Sequence, residues 1–243
     1  MTVLSVNVNK IALLRNSRGR NFPDLIEFTR KLLAMGVKGI TVHPRQDERH
    51  VTRQDVVELT ALLQDYPGVE FNIEGYPSPE FLALVERVRP AQCTLVPDAP
   101  DQLTSDHGWD VPKHEAFLKE VLDGLRDIGV RSSLFLDPNP SLVECVKRVG
   151  ADRIELYTEA YASAFGGDQQ ESVIAQYEAT AARARELQIG LNAGHDLDLQ
   201  NLPRFLQIPG ISEVSIGHAL VVESLEQGLA SVIRQYLLIT GEL

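Results

Sequence analysis

The sequence predicts a single (β/α)8 barrel, a TIM barrel spanning residues 1–243. Three observations predict it. Short β-branched runs recur along the chain, each followed by a stretch with helical apolar spacing, the pattern of parallel strands covered by helices. Eight such units fit within 243 residues, the usual size of a closed α/β barrel. No low-complexity linker or composition shift divides them, so one domain accounts for the chain. An open, doubly wound sheet is the alternative arrangement.

The first strand covers 3–8, and a basic segment with Arg15, Arg18 and Arg20 follows it. Pro23 and Asp24 open a helix to about 35, with Leu25, Phe28, Leu32 and Leu33 near helical spacing and Gly36 as its stop. The second strand is 38–43. Thr52, with Asp55 three residues on, reads as the N-cap of a helix to 63. The third strand, 69–74, ends at Gly75 and two prolines, and a helix at 79–89 leads to the fourth strand at 92–96. Residues 97–112 are rich in turn formers and long enough for a functional loop. A helix at 115–127 precedes the fifth strand, 131–136, and Asp137-Pro138-Asn139-Pro140 turns the chain into a helix ending at Gly150. The sixth strand is 153–157, followed by a loop at 158–170 and a helix at 172–187. The seventh strand, 189–192, a short helix at 202–206, the eighth strand, 213–216, and a closing helix at 222–239 complete the chain.

Composition excludes some classes of function. Hydrophobic residues at 44% and charged residues at 23% are ordinary for a globular protein. A net charge of −11 argues against a general nucleic-acid binder but leaves room for a local basic pocket that takes a small anion. Cys93 and Cys145 lack metal-ligand spacing and read as buried thiols in a reducing compartment. No run approaches the about 18 apolar residues of a membrane span. The N-terminus lacks the features of a signal peptide, so the expected location is cytoplasmic.

In such a barrel the chemistry lies at the C-terminal ends of the strands. The first strand ends in Asn7, Asn9 and Lys10, the second in His43 and Arg45, with His50 in the loop beyond. The third ends in Glu74. Glu70, Asn72 and Glu74 alternate onto one face, and Glu74 is nearest the catalytic end. The loop after the fourth strand holds Thr104, Ser105 and His107. The sixth carries Glu155, Tyr157 and Thr158, the seventh runs into Asn192-Ala193-Gly194-His195-Asp196, and the eighth into Ser215-Ile216-Gly217-His218. Four of the six histidines thus fall at or just after strand ends, where a side chain that titrates near neutrality suits proton transfer. Gly217-His218 sits where barrels often bind phosphate on backbone N–H groups. Arg18 and Arg45 are natural oxyanion partners, whereas Arg15 and Arg20 read as surface arginines. No metal constellation stands out, since His43, Glu74 and His195 include no local ligand pair. There is no dinucleotide-binding glycine fingerprint and no P-loop.

These residues, in this order, resemble the pyridoxine 5′-phosphate synthase family of vitamin B6 biosynthesis over nearly the whole chain. The resemblance is carried by Val6-Asn7, Ile11-Ala12, Leu14-Arg15-Asn16, Gly39-Ile40-Thr41-Val42-His43, Arg45 and Arg49-His50. It continues through Asn72-Ile73-Glu74, Leu95-Val96-Pro97, Asn192-Ala193-Gly194-His195 and Ile216-Gly217-His218. It implies a (β/α)8 barrel without redox or metal cofactor. The implied reaction condenses 3-amino-2-oxopropyl phosphate with 1-deoxy-D-xylulose 5-phosphate to pyridoxine 5′-phosphate, phosphate and water. It also implies a homo-octamer built from dimers, with no nucleic-acid or membrane partner.

By the same resemblance His43 and Glu74 are general bases, His195 is a general acid and Glu155 an assisting carboxylate. Asn7, Arg18 and Gly217-His218 would hold the aminoketone phosphate, and Arg45, His50 and Thr104 the deoxyxylulose phosphate. Two departures stand out. Asn9-Lys10 replaces the usual Asp-His pair, with Lys10 expected to face the site and bind the second substrate electrostatically. Asp196 follows His195 where glycine is common, which would reshape a backbone contact to substrate. Two rival readings use the same tips: a Schiff-base aldolase acting on sugar phosphates through Lys10, and a phosphometabolite-binding barrel without turnover.

Overall fold

The computed structural model describes residues 1–98 and 105–243. Eight parallel strands close in sequence order: β1 (Val3–Asn7), β2 (Gly39–Val42), β3 (Glu70–Gly75), β4 (Gln92–Leu95), β5 (Arg131–Leu136), β6 (Arg153–Tyr157), β7 (Gly190–Gly194) and β8 (Ile211–Ile216), with β8 pairing back to β1. Each strand matches one predicted from sequence, with shifts of a few residues at the ends.

Alternation along the strands sets the architecture. Leu4, Val6, Ile40, Val42, Phe71, Ile73, Leu134, Leu136, Ile154, Leu156, Val214 and Ile216 are all buried in one apolar layer between the sheet and its helices. Each such side chain removed from water contributes roughly 1.5–3 kcal/mol. The inward positions are polar instead. Ser5 and Thr41 share a hydrogen bond of 2.7 Å, and Thr94 donates to Asn72 at 3.1 Å. Below them Arg131 donates to Glu70 and to Gln92, Asn192 donates to Gln92 at 3.1 Å, and Arg153 donates to Asn192 at 2.9 Å while lying 3.7 Å from Glu213. Glu70 is therefore a structural carboxylate inside the barrel, leaving Glu74 at the mouth.

The helices are α1 (Asn9–Asn16), α2 (Leu25–Ala34), α3 (Arg53–Leu63), α4 (Pro79–Val88), α5 (Glu115–Asp127), α6 (Pro140–Val149), α7 (Glu159–Ala164), α8 (Gln170–Glu186), α9 (Leu202–Phe205), α10 (His218–Gln227) and α11 (Leu229–Thr240). Thr52 and Asp55 form the predicted capping box on α3. Three readings need correction. The basic segment after β1 begins as helix α1, whose first N–H is satisfied by Asn7 Oδ1 at 3.0 Å, a side chain two residues upstream. The loop after β6 contains α7. The closing helix is two helices, because Gly228 adopts φ +82° between them.

Arg15 also departs from expectation. It is not a surface arginine: its guanidinium lies in a fork on Asp55, at 2.5 and 2.8 Å, and both side chains are largely buried. The pair ties α1 to the cap of α3 directly beneath the loop that carries His50. Removing one partner strands the other charge. Arg15→Met is expected to cost about 2–3 kcal/mol in urea unfolding; a loss below about 0.5 kcal/mol, typical of surface positions, would show that the pair is not structural.

Candidate active site

A cavity of about 540 Å3 opens at the C-terminal ends of the strands. It is lined by Asn7, Asn9, Lys10, His43, Arg45, His50, Glu74, Glu155, His195, Asp196, Gly217 and His218, so twelve of the fourteen expected site residues meet in one place. All four strand-end histidines are among them. Arg18 lies on the exposed turn after α1 and does not line the cavity. Thr104 lies outside the described residues. His107 is exposed and pairs with Asp106.

The tip of β1 is braced before it can bind anything. Asn7 Oδ1 caps α1, and Asn7 Nδ2 reaches Glu74 at 3.5 Å. Asn9 Oδ1 accepts from the His43 backbone N–H at 2.9 Å and so straps the start of α1 to the end of β2. Lys10, in the first turn of α1, stands exposed at the rim.

Beyond β2, His43 is buried and its pKa falls well below the usual histidine value, first through loss of water and then through Arg45, His50 and Arg49. His50 is pushed down to about 4 by burial and the nearby Arg45, Arg49 and Lys10. The Val51 N–H donates to His50 Nδ1 at 2.9 Å, so the neutral ring carries its proton on Nε2 and presents a donor. Arg45 donates to Asp98 at 2.6 Å, and both side chains are buried. Asp98 also accepts from Ser105 Oγ at 2.8 Å, which ties the loop after β4 to the anion-binding candidate. Arg49 pairs with Asp47 at 2.7 Å.

Carboxyl groups occupy the axis. Glu74 at the mouth is raised well above the normal carboxylate range, first by burial and then by Glu155, Glu213 and Asp98, with Arg45 opposing. Glu155, 4% exposed, is raised to about 8 by burial and by Glu213, against a hydrogen bond from Thr94. Its Oε2 is buried without a protein partner. Glu213 is raised to about 7, again mainly by burial and against the pull of Arg153. Gly194 makes room for Glu155, because a Cβ there would collide with Glu155 Oε1. Burial thus favours the protonated form of Glu74 and Glu155 and the neutral form of His43 and His50, a set able to give or take protons without prior ion pairing.

Two further tips close the circle. His195 packs its ring edgewise on Tyr157 at 5.1 Å and lies 2.6 Å from Asp196 Oδ2 through Nδ1. Gly217 precedes α10, whose N-terminus and His218 face the cavity as a ready anion site. Among the described residues no group of three His, Cys, Asp or Glu is placed to hold a metal ion. Sequence reasoning missed Asp98, Phe135 and Leu197 in or behind the walls. Phe135 had a readable signal, as an inward position of β5, and Asp98 follows Leu95-Val96-Pro97 just past the tip of β4.

A carboxyl that binds its proton more tightly when folded stabilises the fold fully below the unfolded pKa, and that contribution is lost as pH rises through the folded value. For Glu155 the window runs from its ordinary 4.5 up to about 8. Wild-type stability is therefore expected to fall across that window. Glu155→Gln should flatten the fall by on the order of 5 kcal/mol. Parallel pH–stability curves for the two proteins in urea titrations would contradict the buried-acid assignment.

The family model described as pyridoxal phosphate biosynthesis protein PdxJ matches residues 4–242. The pyridoxine 5′-phosphate synthase of Bacteroides thetaiotaomicron is 52% identical over 237 residues, covering 97% of this chain and 98% of the relative. That of Cytophaga hutchinsonii is 49% identical over 238 residues, covering 98% of each. Among solved structures, 3-hexulose-6-phosphate synthase from Salmonella typhimurium superposes with a TM-score of 0.65 at 14% identity, covering 99% of both chains, a likeness of fold alone. With a family match across nearly its whole length and relatives at about half identity, the chain belongs to the PdxJ family of pyridoxal phosphate biosynthesis proteins.

Proposed function

We propose that this chain is a pyridoxine 5′-phosphate synthase, condensing 3-amino-2-oxopropyl phosphate with 1-deoxy-D-xylulose 5-phosphate to pyridoxine 5′-phosphate, phosphate and water. The relatives' names support the activity. The observation that carries the reading is the convergence of His43, Glu74, Glu155 and His195 with Lys10 at the rim, the buried Arg45 and the N-terminus of α10. Imine formation, loss of water, loss of phosphate and aromatisation need repeated proton transfers between two anchored anions. A cavity of about 540 Å3 lies within the range that encloses small ligands.

In this reading Gly217-His218 and Asn7 hold one phosphate, while Arg45, His50 and Lys10 hold the other substrate. Glu74 starts protonated. A cationic amine or imine brought beside it would lower its pKa and release the proton, after which Glu74 serves as a base. His43, buried and neutral, takes protons directly, and His195 returns one to a leaving oxygen. Holding both substrates in contact supplies on the order of 7–11 kcal/mol at the favourable limit. The Schiff-base alternative is disfavoured by the exposure of Lys10, since a nucleophilic lysine needs a desolvating pocket. We also infer a cytoplasmic homo-octamer built from dimers. Exposed Phe22 and Leu225, at 75% and 81%, fit surfaces covered in such an assembly.

Mixing the purified protein with both substrates is expected to yield pyridoxine 5′-phosphate and inorganic phosphate. No product over a range of pH and salt would refute the assignment, and a borohydride-trapped adduct on Lys10 would favour the aldolase. Glu74→Gln is expected to slow turnover by at least about 100-fold, the low end for a general acid–base group. A near-wild-type rate would remove Glu74 from the chemistry. Sedimentation should give eight times the chain mass, and a monomer would contradict the octamer.

A further inference from the structure

His195 and Asp196 follow one another with left-handed backbone, at φ +80° and +57°. Side-chain-bearing residues rarely adopt that conformation, and it persists only where the surroundings impose it. They do so here. The Thr158 hydroxyl donates to the Gly194 carbonyl at 2.9 Å and to the His195 carbonyl. Asn201, itself buried, donates to the Asp196 carbonyl at 3.0 Å, and its Oδ1 accepts from the Asp198 N–H at 2.9 Å. This braced turn brings Asp196 Oδ2 to 2.6 Å from His195 Nδ1. The Tyr157 ring, edgewise at 5.1 Å, packs against the same imidazole.

We propose that Asp196 is a positioning residue for His195, fixing its tautomer with the proton on Nδ1 and so assigning proton exchange with substrate to Nε2. The proposal rests on the reading of His195 as the proton donor. It replaces the expectation that Asp196 binds substrate. A carboxylate bonded to one ring nitrogen orients the ring and stabilises the imidazolium that must form before a proton is given up. His195 in turn holds the Asp196 carboxylate below its usual range, with His218 of α10 adding to the effect. The other ionisable groups around the pair are Glu155 behind Gly194, and Asp106, Asp137 and Glu159 around Tyr157. The side chains of His195 and Asp196 are 26% and 41% exposed, so water screens the pair and the effect is moderate rather than extreme.

The test combines ¹⁵N-histidine NMR, steady-state kinetics and thermal unfolding on the wild type, Asp196→Gly and Asp196→Asn. Neutral His195 in the wild type is expected to carry its proton on Nδ1, and in Asp196→Gly to move toward Nε2. With glycine, kcat should fall roughly tenfold or more while KM for both substrates stays within about twofold. Its Tm should not drop, because glycine accepts φ +57° without strain. Asp196→Asn, which keeps an acceptor but loses the charge, should be intermediate in kcat. Nε2 protonation in the wild type, an unchanged kcat in the glycine variant, or a loss confined to KM would each overturn the proposal. A wild type inactive on the proposed substrates would refute the functional reading instead, and the tautomer would still decide this one.

Discussion

The structure depends on which way each strand residue faces. Period-two alternation sends the aliphatic side chains outward, under the helices, and the polar ones inward. Most barrels of this class fill their interior with branched aliphatics. Here the interior is Ser5, Thr41, Asn72, Thr94 and Glu155 above a network of Glu70, Arg131, Arg153 and Glu213. Cohesion therefore comes from the sheet–helix layer, and the axis is released for chemistry. At the base Arg131 lies against Glu70 and Arg153 against Glu213, so each arginine has a carboxyl neighbour.

The same withdrawal from water acts in opposite directions on acids and bases. It raises Glu74, Glu155 and Glu213 and lowers His43 and His50. Both shifts favour neutral forms, so the mouth stores protons on carboxyls and vacancies on imidazoles without holding a large net charge. The cationic groups lining the cavity are Lys10 at its exposed rim and the buried, Asp98-paired Arg45, near the start of α10. Arg45 is itself restrained by Asp98, which also grips Ser105, so the anion site and the loop after β4 share one carboxylate. This separation of a proton-handling axis from an anion-handling rim allows a net-acidic protein to bind two phosphorylated substrates.

Much of this was legible in the sequence because barrel chemistry gathers at strand ends. Reading only those ends picks out His43, Glu74, Glu155, His195 and Gly217-His218, which line one cavity, and the spacing of Thr52 to Asp55 marks the cap on α3. What escaped depends on contacts that span the chain. Helix α1 has no strong apolar stripe, and its cap is Asn7, a strand residue two positions before it rather than the residue at the helix start. Arg15 is indistinguishable from a surface arginine until Asp55, forty positions away, is folded beside it. Asn9 reads as a ligand from sequence, yet its oxygen is bonded to the His43 backbone. The break at Gly228 is one glycine in an otherwise continuous helical pattern.

Burial at the barrel axis favours the protonated forms of Glu74 and Glu155, ready for a multi-step proton-transfer reaction. ¹³C NMR of the glutamate side-chain carbons, with Glu74 and Glu155 assigned by substitution, reports their ionisation directly in the substrate-free protein. Glu155 is expected to half-titrate near pH 8 and Glu74 to stay protonated well above the ordinary carboxylate range. Titration of both carbons near pH 4.5, the unperturbed glutamate value, would contradict it.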